Sequence, residues 1–218
     1  MRKILILLLL TCCSASAIET IKISSGPKNS LYSTFGQELA NYLNSEFAGK
    51  YEFESVESEG SVQNIFNLCR DSKNTRIAIS QEDVLSLYNS GNNEFFKVPR
   101  KNNDPVTHLG RLFYEEVYHI ARKDITDDLT NTVHVGGAES GSYATFTNYR
   151  EKTYWNKKHL GNGIDLLVDS KISSLFIVTS TPDERLKSIP DFDNKYELRE
   201  IFLNDYRLLS FLPSSRAV

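Results

Sequence analysis

Cysteine is scarce in this chain, 3 among 218 residues, at positions 12, 13 and 69. The first two fall in an opening run, MRKILILLLLTCCSASA, that has the parts of a secretory signal. Arg2 and Lys3 form its positive region, Ile4 to Leu10 an unbroken apolar stretch, and Ala15-Ser16-Ala17 an A-x-A cleavage site. Cleavage leaves a chain starting at Ile18 with Cys69 as its only cysteine. An intramolecular disulfide is then excluded, although an exported compartment would permit one. Stability has to come from a hydrophobic core, and ~200 residues can supply it as one domain or two small ones. Long apolar runs are absent too: the opening stretch falls far short of the ~20 residues a spanning helix needs, and no later segment approaches it. The expectation is a soluble periplasmic protein.

Other absences narrow the function. A formal net charge of −3 excludes a globally basic nucleic-acid binder. No repeat recurs at a fixed period and no segment is of low complexity. His108, His119, His134 and His159 are scattered, without an H-x-x-x-H or HExxH pair for zinc. No GxxxxGK phosphate loop occurs. GGAESGS superficially resembles a nucleophile elbow, but Ala138 stands where the first Gly of G-x-S-x-G is required. DFDNKYELRE (Asp191 to Glu200) has acidic spacing but lacks the Gly of a calcium loop, and reads as a solvated loop. No metal, cofactor or active site is expected. Leu9-Leu10-Thr11-Cys12 loosely resembles a lipobox, whose residue before Cys is normally Gly, Ala or Ser; lipid attachment at Cys12 is the rival to simple export.

What is present alternates between two periods. IKIS (Ile21 to Ser24) is a short strand, followed by the turn SGPKNS. Leu31, Phe35, Leu39, Tyr42, Leu43 and Phe47 then mark a helical stripe of about four turns. YEFESVE is the next strand; Val62, Ile65, Phe66 and Cys69 form a second helical stripe, with Ser61 suited to the N-cap and Cys69 a small core residue. RIAIS (Arg76 to Ser80) is a third strand and QEDVLSLY a third helix. This βαβαβα order indicates a parallel sheet with helices on its faces. GNNEFFKVPRKNND (Gly91 to Asp104) is a polar surface loop, and LGRLFYEEVYHIARKD two strands or one long bent strand crossing between lobes. A strand from Thr132 to Val135, a Gly-rich turn and a helix repeat the earlier logic; Ser173 to Ser180 and Tyr206 to Leu212 are further strands. The implied architecture is two α/β lobes, residues 18–111 and 112–205, after a signal at 1–17 and before a return strand or tail at 206–218.

Four strand-to-helix junctions, SSGPKNSLY, ESEGSVQ, SQEDV and GGAESGSYA, share one chemistry. Each offers small residues, hydroxyls or amides at the carboxyl end of a strand, where open α/β sheets hold ligands. Unsatisfied N–H groups at a helix start attract an anion. Gly60 and Gly141 let a ligand approach the backbone closely, while Ser25, Ser61, Ser140 and Ser142 add directed hydrogen bonds. Any one of these junctions is better explained by ordinary capping and turn formation; the functional reading rests on their repetition in both lobes.

The stretch ESEGSVQNIFNLCRDSKNTRIAISQEDVLSLYNSG (Glu57 to Gly91) resembles the most recognisable block of the TAXI-type solute receptors of TRAP transporters. That family has a Gly-Gly-Ser turn, a helix, an Ala-rich strand ending in Gln, and a helix ending near Tyr-x-Gly. IKISSGPKNSLYSTFGQELANYLN is similar to the family's first strand-turn-helix, and LGRLFYEEVYHIARKDITDDL to its inter-lobe strand. VHVGGAESGSYATF resembles its Val-Gly-x-x-Gly-Ser-Gly-Thr turn, and DLLVDSKISSLFIVTSTP a later strand segment. The resemblance implies a periplasmic-binding-protein type II-like fold, two α/β lobes closing on a small acidic solute such as an amino acid or dicarboxylate. It implies presentation of that solute to a membrane permease. The contacts it implies are Tyr32, Ser61, Gln81, Tyr114, Ser140 and Ser142, the tyrosines giving an apolar wall with a polar tip, Gln81 an amide and the serines hydroxyls. For each tyrosine a half-buried packing role is the competing explanation.

Two departures bear on function. Glu59 and Glu139 stand where the family has small residues. If both face the cleft they oppose an anion: a like-charge pair at ~4 Å repels by about 4 kcal/mol at intermediate dielectric, against ~1 kcal/mol from a helix terminus. The expected ligand is then neutral or carries a positive group. Family chains also continue well past the segment matching Ser173 to Pro182, which puts transport in question more than fold. The alternative to a transport receptor is a receptor-derived periplasmic sensor or protein-binding module.

Overall fold

Alternating apolar residues set the first sheet. In the computed structural model, which describes residues 18–71, 73–91, 106–125, 131–147, 156–180 and 183–201, strands Glu19–Ser24 (β1), Tyr51–Val56 (β2) and Thr75–Ala78 (β3) pair in the order β2-β1-β3. Both pairings are parallel, with Ile21 opposite Phe53 and Ile23 opposite Ile77. Helices Leu31–Glu46 (α1) and Ser61–Arg70 (α2) make the crossovers, as a parallel sheet requires, and Glu82–Asn89 (α3) follows β3.

Helix α1 starts where Ser30 Oγ accepts from the Ser33 N–H at 3.1 Å. Its buried face differs from the expected stripe. Tyr32, Gly36 and Ala40 are buried, with Leu39 and Leu43 beside them, whereas Leu31, Tyr42 and Phe47 are exposed. The cause is close packing: a Cβ on Gly36 would lie 2.6 Å from the Ser25 Cβ and 2.7 Å from Ser55 Oγ. Small residues draw the helix onto the sheet and rotate the larger ones outward.

Helix α2 corrects a second expectation. Its N-cap is Gly60, at φ 128°, and Ser61 is the first helical residue. Gln63 Oε1 reaches back to accept from the Glu59 N–H at 2.6 Å, so the hydroxyl of Ser61 is not needed for capping. Asn64 lies inside the apolar stripe and is fully buried. Its Oδ1 accepts from Ser24 Oγ at 2.7 Å and Ser58 Oγ at 2.5 Å; its Nδ2 donates to the carbonyls of Ile79, at 2.7 Å, and Ser25. Val62 and Ile65 pack with Val84, Leu87 and Tyr88 of α3. Cys69 is half-buried beside them, its Sγ donating to Tyr88 Oη at 3.1 Å.

The second sheet contains Glu115–Arg122 (β4), Thr132–His134 (β5), Asn156–Lys158 (β6), Ser174–Ser180 (β7) and Tyr196–Leu198 (β8), in the order β6-β5-β7-β4-β8. Strand β5 is parallel to β6 and β7, and β4 is antiparallel to β7 and β8. Helices Gly141–Phe146 (α4), Gly163–Val168 (α5), Glu184–Lys187 (α6) and Phe192–Lys195 (α7) complete the lobe. Val133, Val135, Phe146 and Phe176 form one core cluster, and Ile120, Leu167, Ile172, Leu175, Ile189 and Tyr196 another. The inter-lobe segment forms one strand from Glu115, preceded by unpaired chain at 106–114. The stretch read as a solvated loop, Asp191 to Glu200, instead carries α7 and β8, with Tyr196 buried under Ile120 and Leu167. The loop at 92–104 and the strand expected at Tyr206 to Leu212 lie outside the described residues, as do residues 1–17 with their signal and Cys12.

Replacing Asn64 tests how far one amide holds the first lobe. Asn64→Leu leaves two buried carbonyls without their donor and is expected to lower the unfolding free energy by about 3 kcal/mol. Urea unfolding reads this as a lower midpoint at unchanged slope; a midpoint equal to wild type would contradict it.

Candidate functional site

The carboxyl ends of the parallel strands in both sheets face one another, and between them lies a cavity of about 390 Å³. The first lobe contributes the start of α1, the turn at Glu59-Gly60-Ser61, and Gln81. The second contributes the turns at Gly136–Gly137 and Gly161–Asn162, the start of α4, and the end of β7. Glu115 reaches this edge from the opposite end of its own strand. Because β4 runs antiparallel to β7, its first residue pairs with the last of β7, Glu115 with Ser180.

On the first lobe's wall, hydrogen bonds converge on Glu115. Tyr32 Oη donates to Glu115 Oε2 at 2.7 Å, Ser61 hydrogen-bonds Tyr32, and the Gln81 N–H donates to Ser61 Oγ at 3.1 Å. The Gln81 side chain also bonds Glu115. Burial raises the Glu115 carboxyl from 4.5 to about 7; bonds from Tyr32 and Gln81 pull the other way, and the nearby Asp83 charge adds to the rise. Burial, then the neighbouring Glu115 charge, holds the Tyr32 phenol well above its ordinary value, so it remains a donor.

The lobes touch directly beside the cavity. A Cβ on Gly60 would come within 3.4 Å of the Ser140 Cα, and a Cβ on Gly141 within 1.6 Å of Gln81 Oε1. At Gly141 only a bare α-carbon allows this approach, whereas at Gly60 the requirement for glycine comes from the backbone φ of 128°. Thr145 Oγ1 donates to Asp83 Oδ2 at 2.6 Å, and the Gln63 N–H to the Glu139 carbonyl at 3.2 Å. Ala144 of α4 is buried in the cluster formed by α2 and α3. Asp83 is likewise raised, first by burial, with the Thr145 and Val84 bonds opposing.

In the second lobe, His134 ties the two Gly-rich turns together. Its Nδ1 accepts from the Gly136 N–H at 3.3 Å while its Nε2 lies 3.1 Å from the Gly161 carbonyl. Burial lowers its pKa, which keeps the ring neutral with the proton on Nε2. Ser140 Oγ caps α4 by accepting from the Tyr143 N–H at 3.2 Å, and Ser142 Oγ accepts from the Val178 N–H at 2.9 Å. Each hydroxyl keeps its own proton to donate. Arg185 faces the cavity, but its guanidinium donates to both oxygens of Asp183, at 2.9 and 2.6 Å.

Of the residues singled out in the sequence, Tyr32, Gly60, Ser61, Gln81, Ser140, Gly141 and Ser142 line this cavity. Ser25 does not: it is fully buried beneath α1, its hydroxyl donating to the Val56 carbonyl at 2.9 Å. Tyr114 is 66% exposed and lines a second, more apolar hollow of about 470 Å³ beside β3. Its neighbour Glu115 lines both that hollow and the cleft, as do Tyr32 and Gln81, and it carries the other phase of an extended chain, whose side chains alternate. The signal for Glu115 is that alternation, since it shares a phase with Val117, His119 and Ala121. Glu59 lines the cavity at its mouth, whereas Glu139 is exposed and contributes its backbone carbonyl to the lobe contact.

Two α/β lobes with a cleft between the carboxyl edges of their sheets make a periplasmic-binding-protein type II-like fold. No protein-family model matches the chain, and no curated protein matches it. Among solved structures it is similar to the GluR0 ligand-binding core from Nostoc punctiforme in complex with L-glutamate, at 16% identity over 84% of this chain and 80% of that one, TM-score 0.48. A binding protein component of an ABC phosphonate transporter from Pseudomonas aeruginosa aligns at 11% identity over 85% and 66%, TM-score 0.49. A mutant of ArgBP from T. maritima aligns at 10% identity over 88% and 86%, TM-score 0.46. No helix among the described residues is long and apolar enough to cross a membrane.

Two outcomes follow from this geometry. Gly141→Ala drives a methyl group into the Gln81 amide and is expected to destabilise the apposed lobes by about 1–3 kcal/mol, seen as faster amide exchange at the starts of α2 and α4. Unchanged exchange would contradict the contact. Glu115 holds its proton more tightly folded than unfolded, so between pH 4.5 and about 7 the folded state carries the extra proton and stability falls as pH rises. Glu115→Gln is therefore expected to exceed wild type in stability by about 3 kcal/mol near pH 8, the advantage vanishing towards pH 4.5. Denaturant unfolding across that range checks it.

Proposed function

We propose that the protein is an extracytoplasmic solute-binding receptor. It captures a small polar organic solute, amino-acid or carboxylate-like, between its lobes and delivers it to a TRAP-type membrane transporter. The lobes meet near Arg111 and Leu112, and export depends on the cleavable leader at residues 1–17. The supporting observation is the cavity itself. Its volume of about 390 Å³ lies within the range of small-molecule sites, and hydroxyls, amides and glycine turns from both lobes converge on it. The ordered resemblance of Glu57 to Gly91 and of the later segments to TAXI-type receptors supports the transporter class.

Native mass spectrometry of freshly purified protein tests the receptor reading. A stoichiometric small molecule is expected, and adding it back is expected to slow amide exchange at residues 59–63 and 139–145 by at least about tenfold. An empty protein whose melting temperature no metabolite raises would replace this reading with the sensor or protein-binding alternative. Recovery of a TRAP-type permease on solute-loaded protein tests the delivery step.

A further inference from the structure

The polar groups of the cleft are unequally matched. Among the described residues its one guanidinium, Arg185, is already held by both oxygens of Asp183. Its two carboxylates, Glu59 and Glu115, form no ion pair among the described residues. Glu115 has neutral hydrogen-bond donors, Tyr32 and Gln81, but no neutralising charge. Gln81 Oε1 has no hydrogen-bond partner among the described residues, but it is packed against Gly141 at the lobe contact and shielded from the cavity. A buried carboxylate without a counter-charge is costly. The deficit at Glu115 is met by a ligand bearing donors and positive charge.

Resting on the receptor reading above, we infer that the solute carries a cationic nitrogen, a primary ammonium or guanidinium, which Glu115 receives. Glu115 is the residue that decides between amine-bearing and purely anionic solutes. Glu59, at the mouth, adds longer-range attraction. The hydroxyls of Ser140 and Ser142 and the Gly136–Gly137 turn, which line the same cavity, are left for the polar remainder of the molecule.

The surroundings of Glu115 couple this recognition to a proton. Facing it are Tyr32 from α1, Gln81 and Asp83 from the start of α3, and Ser180 from β7. Of these only Asp83 bears a charge, and that charge is negative. The empty site thus holds Glu115 half-protonated at about pH 7. A cation arriving there favours the ionised form, so binding releases the carboxyl proton to solvent.

Calorimetric titration with agmatine, putrescine, L-lysine and L-arginine, set against succinate and L-malate, tests the inference. At least one amine is expected to bind, with affinity falling about 30-fold from about pH 8 to about pH 5.5 as Glu115 protonates. Glu115→Gln is expected to lose at least about tenfold in amine affinity and the pH dependence with it, while remaining folded and more stable. Glu59→Gln, at the exposed mouth, is expected to lose only about threefold. Tight binding of succinate or malate with the amines silent overturns the inference and leaves the receptor reading standing. So does amine binding indifferent to both pH and Glu115→Gln. Silence from all six compounds, together with an empty protein in the native mass spectrum, overturns both.

Discussion

The amide of Asn64 fixes the frame on which the cleft is built. It uses its whole hydrogen-bonding capacity, two acceptor positions and two donor positions, on four groups from three separate segments. Two of those partners, the Ser25 and Ile79 carbonyls, can only accept, so the amide has one permitted orientation. Hydrophobic burial around Val62 and Ile65 supplies more energy, but it is non-directional and tolerates sliding. The Asn64 bonds do not. They lock the carboxyl ends of β1 and β3 to the first turn of α2, and they hold Ser58 in the turn before it. Ser61 then stands against the backbone of Gln81, and the wall of the cleft acquires its order.

From that frame, small residues set the distance between the lobes. In sequence, Gly60 and Gly141 read as places where a ligand approaches the backbone. In the fold each is also a place where the other lobe does so, Gly60 against Ser140 and Gly141 beneath the Gln81 amide. The two uses are compatible, since a pocket closed by two lobes needs both a hollow and a rim that fits. The bare polar turn at Glu57 to Ser61 is explained by this double duty. A side chain at Gly141 would meet the Gln81 amide and press the lobes apart.

Legibility in the sequence followed the length scale of each signal. The βαβαβα order of the first lobe was readable because each element carries several residues of one period. The face of α1 was not, because Gly36 and Ala40 contribute little to a hydrophobic stripe yet decide how closely the helix packs. Strands β6 and β8 span three residues each, too few to show alternation, and Asn156–Lys158 has no apolar residue at all. Tyr32, Ser61 and Gln81 were visible because a parallel strand delivers the residues after it to one edge. Glu115 begins its strand and arrives at the same edge only because β4 runs backwards, a fact of tertiary pairing. Ser25 looked like its neighbours in the junctions, but Gly36 lets α1 sit directly on it.

The cleft therefore combines two electrostatic tendencies that a single ion cannot satisfy. Backbone N–H groups at the starts of α2 and α4 favour negative charge by about 1 kcal/mol at most when solvent-exposed. A carboxylate in the wall favours positive charge, with several-fold larger energy at ~4 Å and intermediate dielectric. Glu115, at the start of β4 in the second sheet, is held by Tyr32 and Gln81 of the first lobe, and the glycine turns and serine hydroxyls line the same cavity. An acid retained in such a wall works against the folded state when empty, because burial opposes its ionisation. A group that lowers stability in this way, with hydrogen-bond donors around it but no counter-charge, is of the kind that functional sites retain.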